Sequence, residues 1–294
     1  MVTYEMVKND PAVKVYIEKA AEVLKAIGFS EHSFAHVCLV AEKAAYIMET
    51  LGYSEREVEL VKIAGYLHDI GNVVNRSDHS QSGAIMAFRI LDRMGMDPAE
   101  ISDIVMAIGN HDEGTGKPVS PMAAALIIAD KSDVRRSRVQ NDNEENFDAH
   151  DKVNYSVKKA ELKINENKTL IKLKLSVDTR YGSVMDYFRI FMDRMVLCKT
   201  AAEKLGLDFQ LMINEQQLVL KELPPVFRRE FFYLFVFTET NSIIVPMNIP
   251  IPAPSPAPMD LFAVPIAIPI ATPKSGPIEE KSQSSFSDFL RCFL

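Results

Sequence analysis

Six histidines occur in this chain of 294 residues, and four of them stand in one ordered pattern with two aspartates. His36 is followed by Val40-Ala41, and His68-Asp69-Ile70-Gly71 comes 32 residues later. His79, His111 and then Ala129-Asp130-Lys131 follow in order. Each polar group lies in or beside an apolar run: GYLHDIG, IVMAIGNH and AAALIIADK. A carboxylate taken out of water is costly unless it is paired or bound to a cation. Several helices converging on one point would explain why these groups tolerate apolar company. Imidazole and carboxylate donors without thiolate suit ions such as Mn, Fe, Co or Zn rather than a structural cysteine site. One or two divalent ions are expected, drawn from Mn, Fe, Co, Ni, Zn and Mg. An adjacent His and Asp let one residue bind terminally while the carboxylate bridges. Two cations about 3.5–4 Å apart can polarise a phosphoryl oxygen and lower the pKa of a shared water, giving hydroxide near neutral pH.

The ordered set resembles the HD-domain phosphohydrolase superfamily over roughly residues 30 to 138. The resemblance rests on H-x3-V-A at His36, HDIG at 68–71 and Ala129-Asp130. The further histidines at 79 and 111 are similar to the two-metal branches, such as bacterial diadenosine-tetraphosphatase-like proteins and cyclic-dinucleotide phosphodiesterases. It implies that His36, His68, Asp69 and Asp130 hold one metal, and that Asp69 bridges to a second completed by His79 and His111. Two departures bear on substrate. Many members carry Lys after the tetrad, where this chain has Asn72. The GYP motif of cyclic-di-GMP hydrolases is replaced by Asn72-Val73-Val74, which argues against a cyclic dinucleotide.

Around this core the sequence offers further candidates. Asp69 and Asp133 are the candidate catalytic carboxylates. Asp133, three residues after Asp130 on an expected helix, could orient a ligand histidine or contact substrate, or could equally be a solvated carboxylate. His32, one turn before His36 on a helix expected to be capped by Ser30, is a candidate substrate contact and a competing ligand. Lys131, Arg135 and Arg136 belong to the basic cluster near the site, and Lys117 sits in the Gly-containing loop after His111. All four are candidates for phosphate, against ordinary salt bridging to the acidic stretch that follows. His150, in a polar connector, reads as a surface residue.

The expected reaction is hydrolysis of a phosphomonoester or phosphoanhydride in a small nucleotide-like substrate by metal-activated hydroxide. Two other readings stay open: a di-iron oxygenase on the same scaffold, and a non-catalytic metal- or nucleotide-binding regulatory module. One scaffold can host all three.

The elements that must position these groups are helices. Val13, Ile17, Ala20, Val23, Leu24 and Ile27 recur at helical spacing and end at Gly28. Ser54 and Glu57 make a capping box for a helix ending near His68. Asp97-Pro98 and Ser120-Pro121 place a capping side chain before a Pro at the first helical position. Residues 1–138 therefore read as an all-helical domain of six helices, and 139–151 as an acidic linker. Residues 152–222 change period: Ile171, Leu173, Leu175 and Val177 alternate, a helix runs from about Val184 to Leu205, and Phe209, Leu211 and Ile213 alternate again. That is a small α+β appendage of ββαβ order. Twelve of the sixteen prolines fall after Glu222, so 223–294 reads as a Pro-rich, disordered tail.

The formal net charge of −7 argues against a large nucleic-acid surface, though not against a small phosphorylated ligand. Three scattered cysteines, Cys38, Cys198 and Cys292, suggest no disulfide framework, and the start of the chain shows no signal-peptide pattern. A cytoplasmic protein without a membrane span is the expectation. A homodimer is compatible with these features and demanded by none.

Overall fold

A computed structural model describes residues 1–141, 143–221, 231–237 and 242–248. The helical region contains α1 (Tyr4–Asn9), α2 (Pro11–Ala26), α3 (Phe34–Leu51), α4 (Glu55–Leu67), α5 (His79–Arg93), α6 (Pro98–Gly109) and α7 (Pro121–Lys131). A short 3-10 turn, Ile70–Val73, links α4 to α5. The capping signals act as read: Ser54 and Glu57 bond reciprocally, Asp97 accepts from the Ala99 N–H, and Ser120 accepts from the Ala123 N–H. Helix α1 was not anticipated; Thr3 caps it, and Val7 is fully buried.

Two boundaries differ from expectation and matter for the site. Helix α3 is capped by Ser33 rather than Ser30, so His32 lies in the loop before it and shares no helix face with His36. Helix α7 ends at Lys131, so Asp133 is not on the Asp130 face of a helix but just beyond its end. The cause is local. The backbone N–H of Ser132 still bonds to Ile128, while that of Asp133 closes a tighter turn onto Asp130.

Helix α7 is buried on every side from Met122 to Lys131, as its AAALIIA run requires. It packs against α3, α4, α6 and a later helix, α9 (Val184–Lys204). Two glycines let the surrounding segments approach closely enough to build the site. A Cβ on Gly65 would lie 2.7 Å from the Ala41 Cα, so the glycine brings α4 against α3, and with it His68 towards His36. A Cβ on Gly71 would lie 2.1 Å from the His79 carbonyl oxygen, so the bare backbone lets the start of α5 close over the 3-10 turn.

After a 3-10 turn at Glu144–Asn146 come α8 (Ala149–Ser156), β1 (Val157–Ile164), β2 (Leu170–Val177), α9 (Val184–Lys204), β3 (Asp208–Ile213) and β4 (Gln216–Lys221). Two more strands follow, β5 (Phe231–Phe237) and β6 (Ser242–Asn248), and the sheet order is β1-β2-β3-β4-β5-β6. Strands β1 and β2 are antiparallel, with Ile164 opposite Ile171. The α9 crossover makes β2 and β3 parallel, and the remaining pairs are antiparallel.

The helical domain and the following sheet match the expected class, with corrections in the detail. The ββαβ order is extended by β4, reached through Asn214 and Glu215 with φ of 48° and 69°. Those are the two positive φ angles of a tight hairpin turn, which no glycine announces here. Strands β5 and β6 lie inside the segment expected to be disordered. Proline was the reason for that expectation, and Pro246 is accommodated in β6, the last strand in the sheet order. Most of the expected tail, residues 249–294, lies outside the described residues.

Helix α9 serves both hydrophobic cores. Tyr187, Phe191 and Met195 pack with Leu173, Leu175 and Leu211 of the sheet, while Ala201 and Ala202 join the core of the helical region. Among the described residues no helix is long and apolar enough to cross a membrane.

Candidate metal centre

Five imidazole rings form an unbroken arc, His32–His36–His68–His111–His79, with successive ring centroids 5.0–5.2 Å apart. Each is carried by the end or the start of a different segment. His36 is near the start of α3, His68 caps α4, His79 opens α5, and His111 follows α6. His36, His68, His79 and His111 are 2% exposed or less.

The ring nitrogens sort into two roles. The Nδ1–H groups of His32, His68, His79 and His111 donate to the carbonyl oxygens of Ser30, Gly65, Arg76 and Ile108, at 2.6, 2.7, 3.1 and 2.6 Å. A carbonyl can only accept, so each Nδ1 carries a proton, and the lone pair a ring can offer, once it is neutral, is on Nε2. His36 bonds instead through Nδ1 to the Asp133 carboxylate at 2.8 Å. Every Nε2 then points at Asp69 or Asp130. This arrangement, Nδ1 committed to an acceptor and Nε2 turned to a carboxylate, is how metal-ligating histidines are held.

Asp69 divides its two oxygens. Oδ2 lies 3.5 Å from His36 Nε2 and 3.3 Å from His68 Nε2, while Oδ1 lies 3.4 Å from His79 Nε2 and 3.8 Å from His111 Nε2. Asp130 Oδ1 completes the first side, 3.3 Å from His36 and 3.7 Å from His68. Two sets of donor atoms lie within 4.8 Å of one another and could hold an ion: His36, His68 and Asp130, and His68, Asp69 and His111. The donor set thus fits a divalent metal.

Charge follows the same geometry. Burial would push His68 down, but Asp69 and Asp130 outweigh it and hold His68 up at about 10. Burial would raise Asp69 and Asp130; the facing imidazoles, with Lys131 for Asp130, instead hold both well below the usual carboxylate range. Burial lowers His79 to about 4, helped by His111 and Arg76 and only partly opposed by Asp69.

The outer contacts revise several expectations. Asp133, expected among the catalytic carboxylates, is 2% exposed and lies behind His36, bonded to its Nδ1. Arg135 is turned to Asp133 at 2.9 Å and Glu31 at 3.1 Å. Lys131 is buried between Asp130 at 2.7 Å and Glu113 at 2.9 Å, so its charge serves a ligand carboxylate rather than an open pocket. Arg136 is not brought to the cluster: it donates to the Tyr155 carbonyl at 2.6 Å and stacks on the Tyr155 and Tyr181 rings. Lys117 is exposed on the loop after α6 and joins none of these ion pairs. His32 is brought in, its Nε2 3.9 Å from Asp69 Oδ2.

Asn72, in the position where the family often has Lys, is fully buried and donates from Nδ2 to Asp69 Oδ1 at 3.0 Å and to the Asp69 carbonyl at 2.9 Å. Its amide therefore steadies the central carboxylate. Sequence reasoning missed Asp112, Glu113, Arg76 and Arg194. Asp112 Oδ1 lies 3.8 Å from His79 Nε2, and Glu113 bonds to both Lys131 and Arg194 of α9. A signal for the first two was present in the run His111-Asp112-Glu113. Nothing in the sequence announces Arg194, which arrives from 81 residues away.

Residues 33–135 match the family model of the HD domain. The chain carries an HD domain. Its described site residues from His36 to Asp133 fall within the matched segment, whereas His32, Arg138 and Arg194 lie outside it. Among solved structures, a predicted HD superfamily hydrolase from an uncultured Thermotogales bacterium is 25% identical, over 46% of this chain and 75% of that one, with a TM-score of 0.34. No curated protein matches the chain.

Proposed function

We infer that this HD-domain protein is a metal-dependent hydrolase of phosphate esters or anhydrides, acting on a small nucleotide-like substrate. The observation that carries the reading is the donor set: four buried imidazoles with Nε2 aimed at two carboxylates, and Asp69 offering one oxygen to each histidine pair. On this reading His36, His68, Asp69 and Asp130 would hold one divalent ion, and His79 and His111, with Asp69, would hold a second. Such ions, when bound, lower the pKa of a water and polarise a phosphoryl oxygen.

The chain's own residues do the rest. Asn72 fixes the orientation of Asp69, so that its two oxygens stay divided between the histidine pairs. Asp133 fixes the tautomer of His36. Lys131 offsets the charge of Asp130 in a region from which water is largely excluded. The apolar residues of α7 bury the Asp130 end of the site.

The test is metal content of the purified full chain, paired with phosphate release from a nucleotide panel in Mn, Fe, Co, Ni, Zn and Mg. The expected result is about two ions per chain and metal-dependent release, both lost in Asp69→Ala. Stoichiometric metal with oxygen consumption and no phosphate release would overturn the hydrolase reading. Failure to bind metal after reconstitution would overturn the centre itself.

A further inference from the structure

Beside the histidine arc lies a cleft of about 370 Å3, lined in part by Phe29, His32, Arg76, Asp151, Asn154 and Arg194. It is bounded by the HD region on one side and by α8 and α9 on the other. Its chemistry is uneven, and three observations define it.

Arg76 is the first. Its Nη1 lies 3.3 Å from His79 Nε2 and 3.5 Å from Asn72 Oδ1, and it pairs with no carboxylate among the described residues. Arg194, on the same cleft, is paired with Glu113, and Lys131, Arg135 and Arg138 each have an acidic partner. A guanidinium without a carboxylate, beside a centre built for cations, is a receptor for an anion that can lie between them.

The second is Phe29, 41% exposed, whose ring lies under the Arg76 guanidinium at 5.3 Å, with Ile27 next to it 52% exposed. These two side chains give the cleft exposed apolar surface beside the Arg76 guanidinium, with the Phe29 ring as its flat element. The third is Asp151 on α8. It makes no ion pair among the described residues and lines the same cleft as Arg76 without meeting it. Its carboxylate, near the Asn154 amide, is an acceptor for hydroxyl or amino groups.

We propose that this cleft is the recognition site for the substrate, with Arg76 taking its phosphate, Phe29 the flat face of its leaving group, and Asp151 that group's hydroxyl or amino donors. A nucleoside phosphate has those three features in that order. The assignment rests on the hydrolase reading for the identity of the site, but its residues are outside the metal-ligand set and can be tested apart from it. It also gives α8 a role that places part of the specificity outside the HD domain.

The experiment is calorimetric titration of the full chain in Mn2+ with three probes: AMP, adenosine and inorganic phosphate. AMP is expected to bind more tightly than either part. Arg76→Met should weaken AMP about tenfold or more and leave adenosine unchanged, with Arg76→Lys restoring part of the loss. Phe29→Ala and Asp151→Asn should weaken AMP and adenosine by similar factors and leave phosphate unchanged. No saturable AMP binding, or AMP affinity within about twofold of wild type in both Arg76→Met and Phe29→Ala, overturns the proposal. The two conservative variants, Arg76→Lys and Asp151→Asn, keep the test valid if a larger change disturbs folding. Failure of the hydrolase reading would show separately, as no phosphate release by the wild-type chain despite this binding pattern. Phosphate release with unchanged KM in all three variants would instead overturn the cleft assignment and leave the hydrolase reading standing.

Discussion

The two sides of Asp69 are built from the same residue types and held by different means. On one side His36 and Asp130 are backed by charge, with Asp133 behind His36, Arg135 and Arg138 behind Asp133, and Lys131 behind Asp130, while His68 rests on the Gly65 carbonyl. That network continues through Glu113 to Arg194 of α9. On the other side His79 and His111 are backed by the backbone carbonyls of Arg76 and Ile108, and Arg76, whose Nη1 lies 3.3 Å from His79 Nε2, pairs with no carboxylate among the described residues. A carboxylate on Nδ1 makes an imidazole a stronger donor than a carbonyl does. On the reading proposed above, the first side would hold an ion more firmly than the second.

The comparison breaks most completely at the residue both sides share. Asp69→Ala should abolish metal binding on both, by more than the 10- to 100-fold that loss of an outer contact costs, and reduce phosphate release to background. Elemental analysis would check it; an ion retained at full occupancy would show that Asp69 does not join the two sides. Gly71→Ala tests the second side alone. The added Cβ meets backbone atoms, the His79 carbonyl oxygen at 2.1 Å and the Gly83 nitrogen at 2.4 Å, so α5 must move away. One ion per chain should be lost while the His36 side keeps its own, and overpacking should cost about 1–3 kcal/mol of stability in denaturant titration. Asp133→Asn tests the first side. It keeps the shape but weakens the charge behind His36, and should lower affinity for the tighter ion about 10- to 100-fold with little change in fold.

How far these contrasts could be read from the sequence depends on what sets them. The convergence of His36, His68, Asp69, His79, His111 and Asp130 was legible because a buried His or Asp in an apolar run needs a polar partner, and because caps such as Ser54 and Asp97 mark helix ends locally. Asp133 was legible as a residue and illegible as a role. Whether it touched substrate or His36 depended on α7 stopping at Lys131, and helix ends are decided by tertiary packing as much as by propensity. The setting of Lys131 was illegible for a related reason: a lysine beside an aspartate is exposed or buried as a counter-charge according to what covers it, and here Glu113 pairs with it and with Arg194. The β4 hairpin escaped because Asn214-Glu215 adopts a turn that glycine usually marks.

The pH dependence of the metal-free chain should separate the two sides by sign. His68 is raised to about 10, so its contribution is complete below the ordinary histidine value of about 6.5 and is lost as pH climbs through 10. His79 is lowered to about 4, so the unfolded chain takes up its proton first and stability falls as pH drops from about 6.5 towards 4. The Tm of chelator-treated protein should therefore peak near neutrality. His68→Gln should flatten the alkaline limb, which His36, also raised, shares. His79→Gln should flatten the acid limb. A limb that responds to the wrong variant would contradict the electrostatic difference between the sides.

The smallest effect should come from Asp112, and its smallness is informative. Asp112 is a quarter exposed and lies 3.8 Å from His79 Nε2, beyond hydrogen-bond reach, whereas Asp133 is 2.8 Å from His36 Nδ1 and nearly sealed. The two carboxylates meet different nitrogens: Asp133 holds the ring from behind, while Asp112 stands on the ligating edge. If the second side is held by carbonyls, Asp112→Asn should change metal affinity by no more than about threefold, the scale of an exposed charge pair. A loss as large as that from Asp133→Asn would mean that Asp112 is itself a ligand, and that the two sides of Asp69 are more alike in carboxylate support than their hydrogen bonds indicate.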